Sequence, residues 1–445
     1  MRLGFKILMV LGLTLAILVP LTMIRGVIHE REGYQAEAVA KVARSVAGRQ
    51  SFAGPVLVVP YRERVEVVER DKHGVEHTVQ RIEERKWVYF PRTLDVGGTI
   101  TPEIRRSGLY RVRIYAWQGH AQADFDVRIP DDADPAHARS IGQPYLGYAI
   151  GDVRGLRGKS RLRVDGRELP VLQGLDEQGA PGVHARLAVP RAGQRLKLRS
   201  RFDFTLAGTE ALNVVPLGDS NRVALDSPWP HPSSIGTLAP GVLDVGDDGF
   251  RAQWELPALA ANTQATVLRA IKRGGKGAAE PGALAGIDSI GLQLVDPVAI
   301  YTKADRATKY GLLFVALTFV GFFMFELLKQ LRIHPVQYGL VGLALAIFFL
   351  LLVSLSEHVE FGWAYLVASV ACIGLLGFYL SAVLRSALRG LGFAAMLATL
   401  YAALYGLLVS EDNALVLGAG LLFVILAAVM VLTRKVDWYR LSTAD

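Results

Sequence analysis

The stretch IFFLLLVSLSEHVEFGW, residues 347–363, passes from unbroken apolar side chains to Ser354, Ser356, Glu357 and His358 within a few positions. A hydroxyl, a carboxylate and an imidazole so close together are either the beginning of a catalytic group or the point where a helix leaves a membrane. The neighbouring sequence decides. Residues 338–355 form an apolar run near the length of about 20 that a membrane helix needs, and 363–384 form another. The same pattern occurs at 7–24, 311–328, 391–409 and 414–432. The polar cluster therefore reads as the mouth of the third of six spans, where water returns.

The short loops orient these spans. With the N-terminus in the cytoplasm, Lys329, Arg332, Arg385, Arg389, Arg434, Lys435 and Arg440 all fall inside. The loops on the other side carry Glu357, Glu360, Glu411 and Asp412 and no Lys or Arg. That is the positive-inside pattern throughout. It sends the long section after the first span outside, into the periplasm of a Gram-negative cell, and leaves 434–445 as a cytoplasmic tail. The first run follows Arg2 and Lys6 like a signal sequence, but it is longer than the usual hydrophobic region of about 7–15 residues, and LVPLTMIRG has no Ala-x-Ala site. It reads as an uncleaved anchor over 1–25.

Composition agrees. Of 445 residues 51% are hydrophobic and 20% charged, with a net charge of +8. Residues 25–309 hold 40 Lys and Arg against 34 Asp and Glu. This is mildly basic, without the Lys/Arg block of a nucleic-acid groove. The single cysteine, Cys372, excludes an intrachain disulfide, so the middle section must be held by its own core.

No ionisable residue lies near the centre of a span, which argues against an ion or proton path. Glu326 lies near a span end, and Lys329 follows it on the same helix face, an ion-pair spacing. Small residues recur at helical spacing: Ala394, Ala398, Ala402 and Gly406, and Ala364, Ala368 and Cys372. Such faces predict closely packed helices. Pro20 and Pro335 are read as marking span ends.

In the middle section a helix is expected over 30–48. Beyond Gly54 the period changes to two: PVLVVPY, VEVVER, RKWVYF, LYRVRIYAW, QADFDVRI and LKLRSRFDFTL are short, rich in Val and aromatics, and bounded by turn residues. The expected fold is a polytopic α-helical membrane protein with a large, mostly β, sandwich-like periplasmic domain over 26–309. Residues 272–286 read as a flexible excursion, and 310–433 as a five-helix transmembrane bundle.

Three catalytic motifs fail on context. HGVEH (residues 73–77) has the letters of an inverted zinc-protease motif but lies in β-patterned sequence, where that helix cannot form. PLGDSN (216–221) lacks the downstream Asp-x-x-His of the hydrolases it matches in part, and GLRGKS (155–160) has Val153 where a phosphate loop needs glycine. No enzyme, metal or cofactor is expected. SPWPHPSSIG (227–236) is a stiff segment carrying Trp229 and His231, a candidate partner-docking segment or a cover for a sheet edge.

DRATKYGLLFVALTFVGFFMFE (305–326) and RIHPVQYGLVGLALAIFFLLLVSLSEH (332–358), together with SPWPHPS, GPVLVVP and DWYRLS, closely resemble the CreD family of bacterial inner-membrane proteins. The resemblance implies a role in cell-envelope integrity. In some bacteria it also implies a link to a carbon-source- or β-lactam-responsive two-component system. It brings no catalytic residue. Asp305, Arg306 and Lys309 lie at the outer end of one span, and Ser356, Glu357 and His358 at that of the next. They are expected to pair and clamp the periplasmic domain onto the bundle. The expected partners are membrane lipids and an envelope protein, lipid or cell-wall component, bound by the β-rich domain. The alternative is handling of a lipid or other amphiphile by the bundle.

Overall fold

Alternation of apolar and polar residues decides the middle of the chain. In the strand over Tyr110–Arg128, Tyr115, Trp117, Gly119, Ala121, Ala123 and Phe125 are buried, while the residues between them are not. A strand presents successive side chains to opposite faces, so this pattern gives one dry face and one wet face. The computed structural model describes residues 3–70, 76–131, 139–175, 180–257, 262–272, 287–294, 300–329, 333–384, 386–410 and 414–434. The excursion expected at 272–286 lies outside them except for Lys272, as does His73 of HGVEH.

The chain divides into two compact units, Glu37–Pro297 and Met1–Ala36 with Val298–Asp445. The first is β-rich. Its strands are β1 (Gln50–Arg70), β2 (Glu76–Tyr89), β3 (Thr93–Ser107), β4 (Tyr110–Arg128), β5 (Ser140–Ile141) and β6 (Tyr145–Ile150). Next come β7 (Leu156–Val164), β8 (Arg167–Leu169), β9 (Leu172–Gln173), β10 (Gly182–Arg186), β11 (Arg195–Thr209) and β12 (Ala211–Val215). The last are β13 (Ser220–Ser227), β14 (Pro232–Gly236), β15 (Val242–Gly246), β16 (Gly249–Pro257) and β17 (Ile290–Leu294). Among the described residues they form two sheets. One is ordered β14-β17-β12-β1-β6-β10-β9, with β2 and β5 also on β1; the other is ordered β15-β16-β13-β3-β4-β11-β7-β8.

The inner faces of the two sheets share one core. Phe52 of β1 meets Trp117 of β4 edge-on at 5.6 Å and stacks on Phe204 of β11 at 5.0 Å. Tyr148 of β6 lies 4.7 Å from Phe202 of β11. This is the expected sandwich. Gly119 is required by it, because a Cβ there would sit 2.8 Å from both the Phe204 ring and the Trp117 ring. β1 runs on through Pro55 and Pro60, which the sequence placed at the limits of a shorter strand. A register shift between Ala53 and Val56 absorbs the first proline. A ten-residue helix, Thr263–Lys272, lies in a section to which the sequence reading assigns no element, and its Val267 packs on the core.

The second unit is helical. In chain order the helices are α1 (Leu3–Ala16), α2 (Leu18–Ser45), α3 (the Thr263–Lys272 helix of the β-rich unit), α4 (Ile300–Lys329), α5 (Pro335–Ser356), α6 (Phe361–Val383), α7 (Ala387–Val409) and α8 (Ala414–Thr433). Five helical stretches are long and apolar enough to cross a membrane: Leu8–Ser45, Tyr301–Glu326, Pro335–Ser356, Phe361–Val383 and Ala387–Val409. A shorter apolar stretch, Val416–Val431, follows. Pro335 opens α5 behind a His334 cap, as a missing N–H is tolerated there. Pro20, by contrast, lies inside a helix. It cannot donate to the Ala16 carbonyl, and the division between α1 and α2 falls at Ile17.

The expected domain limits of 26 and 309 also shift. α2 continues from the apolar run through GYQAEAVAKVARS, and α4 begins at Ile300, so both limits fall inside continuous helices. Hydropathy marks only the oily part of a helix. Ala, Glu, Lys and Arg keep the backbone helical beyond it. The helix expected over 30–48 is thus the second half of α2, ending at Ser45.

Candidate functional site

Five places collect polar or open features: three in the helical unit and two in the β-rich unit.

At one end of the helical unit, Arg25 Nε lies 3.1 Å from Asp305 Oδ1, and Lys309 Nζ lies 2.8 Å from Asp305 Oδ2. Glu357 receives Arg31 Nε at 3.4 Å and the Tyr301 hydroxyl at 3.3 Å. Of the six residues expected to form a clamp, the structure brings Asp305 and Lys309 together on α4. Ser356 donates to Val353 O at 2.8 Å, and His358 Nδ1 lies 3.2 Å from Ser354 O. Arg306 is half-buried on α4. The residues that sequence reasoning missed are Arg25 and Arg31 of α2. Their signal was present in IRGVIHER, two arginines just beyond the first apolar run, at the same end as the acids of the next two helices. A pairwise prediction arises here. Glu357→Arg lowers the melting temperature of the full-length chain, and Arg31→Glu restores part of the loss, with a coupling of about 0.5–1 kcal/mol for so exposed an arginine. Differential scanning fluorimetry of the single and double variants checks this; purely additive losses contradict it.

At the other end, Glu326 is 4% exposed and accepts from the Tyr338 hydroxyl at 2.9 Å and from the Ile333 amide at 3.1 Å. The sequence paired it with Lys329, whose side chain lies outside the described residues. The carboxylate ties α4 to the start of α5.

The two small-residue stripes serve different ends. Ala364, Ala368 and Cys372 are buried, with Cys372 Sγ 3.6 Å from Ala344 O of α5. On α7, a Cβ at Gly377 of α6 would lie 3.2 Å from Ala394, so the helices approach closely there. Further along, Ala398 and Ala402 are exposed and line an open groove between α6 and α7 of about 590 Å³. Gly362, Trp363, Tyr365, Leu366, Ser369, Val370, Ile373, Tyr401 and Tyr405 complete its walls, with Glu360 at one end. Tyr365 donates to Tyr401 O at 2.7 Å. The hydroxyls of Ser369 and Tyr401 are buried without a hydrogen bond among the described residues; Ser369 sits beside the Tyr365 phenol and Tyr401 beside the Cys372 thiol.

In the β-rich unit, the outer face of the β3-β4-β11-β7 sheet holds a recess of about 1010 Å³. Cross-strand register builds it: Asp126 stands opposite Lys197, Asp124 opposite Arg199, and Arg201 between Gln122 and Arg163. Arg195 grips Asp126 with two bonds of 2.6 and 2.7 Å and holds its carboxyl below the usual carboxylate range. Arg199 and Thr93 bind Asp124 at 2.9 Å, and the Arg199 amide donates to Asp165 at 2.8 Å. These carboxylates are therefore engaged. Lys197 and Arg163 make no ion pair among the described residues, so the recess keeps uncommitted positive charge. Sequence reasoning missed it because alternate charged residues on a strand look like any solvated face.

The docking candidate is built into the end of the sandwich. The Trp229 amide donates to Ser227 Oγ at 3.2 Å, and its indole N–H donates to His231 O at 3.1 Å. The Arg113 guanidinium lies 3.7 Å over the indole. Trp229 is half-buried against the core, His231 is exposed, and Pro232 opens the edge strand β14. Ser220 of PLGDSN opens β13, and GLRGKS runs into β7, whose backbone pairs with β11. Neither forms the loop its motif would need.

Comparison with known proteins agrees with this architecture. The family model described as Inner membrane protein CreD matches residues 2–439. Inner membrane protein CreD of Escherichia coli (strain K12) is 35% identical over 442 residues, covering 98% of this chain and 94% of its own. The match runs through both units from end to end. The chain belongs to the CreD family of inner membrane proteins.

Proposed function

We propose that this protein supports cell-envelope integrity without catalysis, through a β-rich unit that lies in the periplasm and binds an anionic envelope component. The topology proposed with it has six spans and both termini in the cytoplasm, on the charge pattern of the short loops. The observation that carries the reading is the recess on the outer face of the second sheet, where five cations face four carboxylates and Lys197 and Arg163 remain uncommitted. Arginine and lysine on a rigid sheet recognise carboxylate or phosphate groups without a loop having to order. Cell-wall fragments and anionic saccharides carry such groups; a bare apolar ligand does not. In this reading Trp229 and His231 offer a second contact surface, and the ion pairs of Arg25 and Arg31, inside α2, with Asp305 of α4 and Glu357 at the end of α5 hold these helices together.

The test is binding of peptidoglycan fragments to the full-length chain in nanodiscs, measured by isothermal titration. Lys197→Glu with Arg163→Glu weakens binding at least tenfold, while the melting temperature stays within a few degrees, because neither side chain holds an ion pair that folding needs. Undiminished binding by the double variant defeats the proposal.

A further inference from the structure

The end of the β3–β4 hairpin stands free of the sheet. Beyond Thr99 β3 no longer pairs with β13, and before Ile114 β4 does not yet pair with β11, so this part of the two strands is bonded only to itself. Gly108 takes φ +63° at the first position of the two-residue turn, which suits a tight hairpin and puts Leu109 at the tip. Leu109 is 62% exposed and Ile104 59%. Between Thr99 and Ala116 four arginines stand against one acid, Glu103. Arg105, Arg106 and Arg111 are exposed and form no ion pair among the described residues. Arg106 lies directly opposite Arg111. Like charges so placed destabilise a strand pair, and an anion held between them turns that repulsion into a grip.

The direction of the tip follows from α2. Val112 and Ile114 are buried with Ala38, Val42 and Val46, and Tyr110 packs against them. Thr209, opposite Ile114, donates to Ala47 O at 2.6 Å. From there β4 runs back beside the helix: Ile114 to Tyr110 covers about 14 Å of strand, and Val46 to Ala38 about 12 Å of helix. Leu109 therefore lies on the side from which α2 enters the β-rich unit. α2 is one helix from Leu18, and its first part belongs to a stretch apolar enough to cross a membrane.

We propose that the β3–β4 tip is a lipid-surface contact. Leu109 and Ile104 enter the polar layer of the membrane from which α2 emerges, and Arg105, Arg106 and Arg111 take the phosphates of anionic phospholipids. Apolar side chains set among the cations gain from a bilayer and nothing from a free phosphate. The site shares no residue with the recess and stands apart from binding there.

The experiment attaches a nitrobenzoxadiazole dye at Leu109→Cys in the full-length chain carrying Cys372→Ala, and reads its quenching by acrylamide in nanodiscs. The reference is the same dye at Arg191→Cys, an exposed position before β11 at the opposite end of the sheet. In discs with about 30% phosphatidylglycerol, the dye at 109 is quenched about threefold less than at 191, and less than in discs of phosphatidylcholine alone. Arg106→Glu with Arg111→Glu raises quenching at 109 to the phosphatidylcholine level. Raising salt to about 0.5 M does the same with the arginines intact, so the result does not depend on how the variant folds. Equal quenching at 109 and 191 in the anionic discs overturns the contact. Protection at 109 that ignores lipid charge, salt and the arginine variant overturns the recognition of anionic lipid. Protection that appears only when peptidoglycan fragments are added assigns the tip to a wall polymer and overturns the proposal as well.

Discussion

Trp117→Ala lowers the unfolding free energy of the β-rich unit by about 3–5 kcal/mol, the usual cost of truncating a buried large aromatic. Trp117 is fully buried and is the ring against which both sheets close, with Phe204 edge-on at 4.9 Å and Phe52 at 5.6 Å. Neighbours of this size cannot relax into the vacated space, so the cavity term adds to the lost burial. The indole N–H is buried without a hydrogen bond among the described residues. A ring that lacks it should therefore be tolerated far better, and Trp117→Phe costs under about 1.5 kcal/mol. Urea titration of the full-length variants in micelles, followed by amide exchange along β4, gives both values. A phenylalanine variant as unstable as the alanine one would show that the indole shape, and not burial, is what matters.

Gln50→Leu is expected to cost about 2–4 kcal/mol, through polarity where Trp117 acts through volume. Gln50 is fully buried at the start of β1. Its amide nitrogen donates to Ala207 O at 2.8 Å and to Asp152 O at 3.0 Å, and its Oε1 accepts from the Asp152 amide at 3.1 Å. One side chain thus joins the first sheet, the second sheet through β11 and the turn before β7. Asp152 in turn accepts from the Gly48 amide at 3.3 Å, and the Arg154 guanidinium bonded to it holds its carboxyl below the usual range. Leucine matches the volume and leaves a buried donor and two carbonyls without these bonds. The same titration, with exchange read at Asp152 and Gly155, checks it; a loss under about 1 kcal/mol would mean that water enters and replaces the amide.

Much of this architecture was legible in the residues. Alternation in LYRVRIYAW and QADFDVRI located β4, and apolar length located the helices, because each signal is local and periodic. What stayed hidden was either non-local or compositionally ordinary. The parallel pairings of β1 with β12 and of β3 with β13 join segments more than a hundred residues apart, and nothing in either strand names its neighbour. The α3 helix does carry an apolar stripe, Val267, Leu268 and Ile271 at helical spacing, but it is short and follows a long series of β-patterned segments. Asp305 and Glu357 stand in two polar clusters that the sequence expects to pair with each other, but Arg25 falls at the last position of the expected anchor and Arg31 in the helix expected over 30–48, and no local pattern names either as their partner. The recess and the groove are products of cross-strand register and helix divergence, which single residues do not announce.

The position of β17 bears on how the protein is made. It lies between β14 and β12 in the first sheet, yet Ile290–Leu294 is the last strand of its unit in chain order. At translation speeds of about 5–20 residues per second, several seconds separate emergence of β12 from the ribosome and arrival of the strand that covers it. During that interval the nascent polypeptide presents a bare edge of Leu212, Val214 and Val215, the kind of template that recruits other chains. A chain cut short before Leu294 would keep that edge uncovered, and is expected to aggregate however sound the preceding strands are.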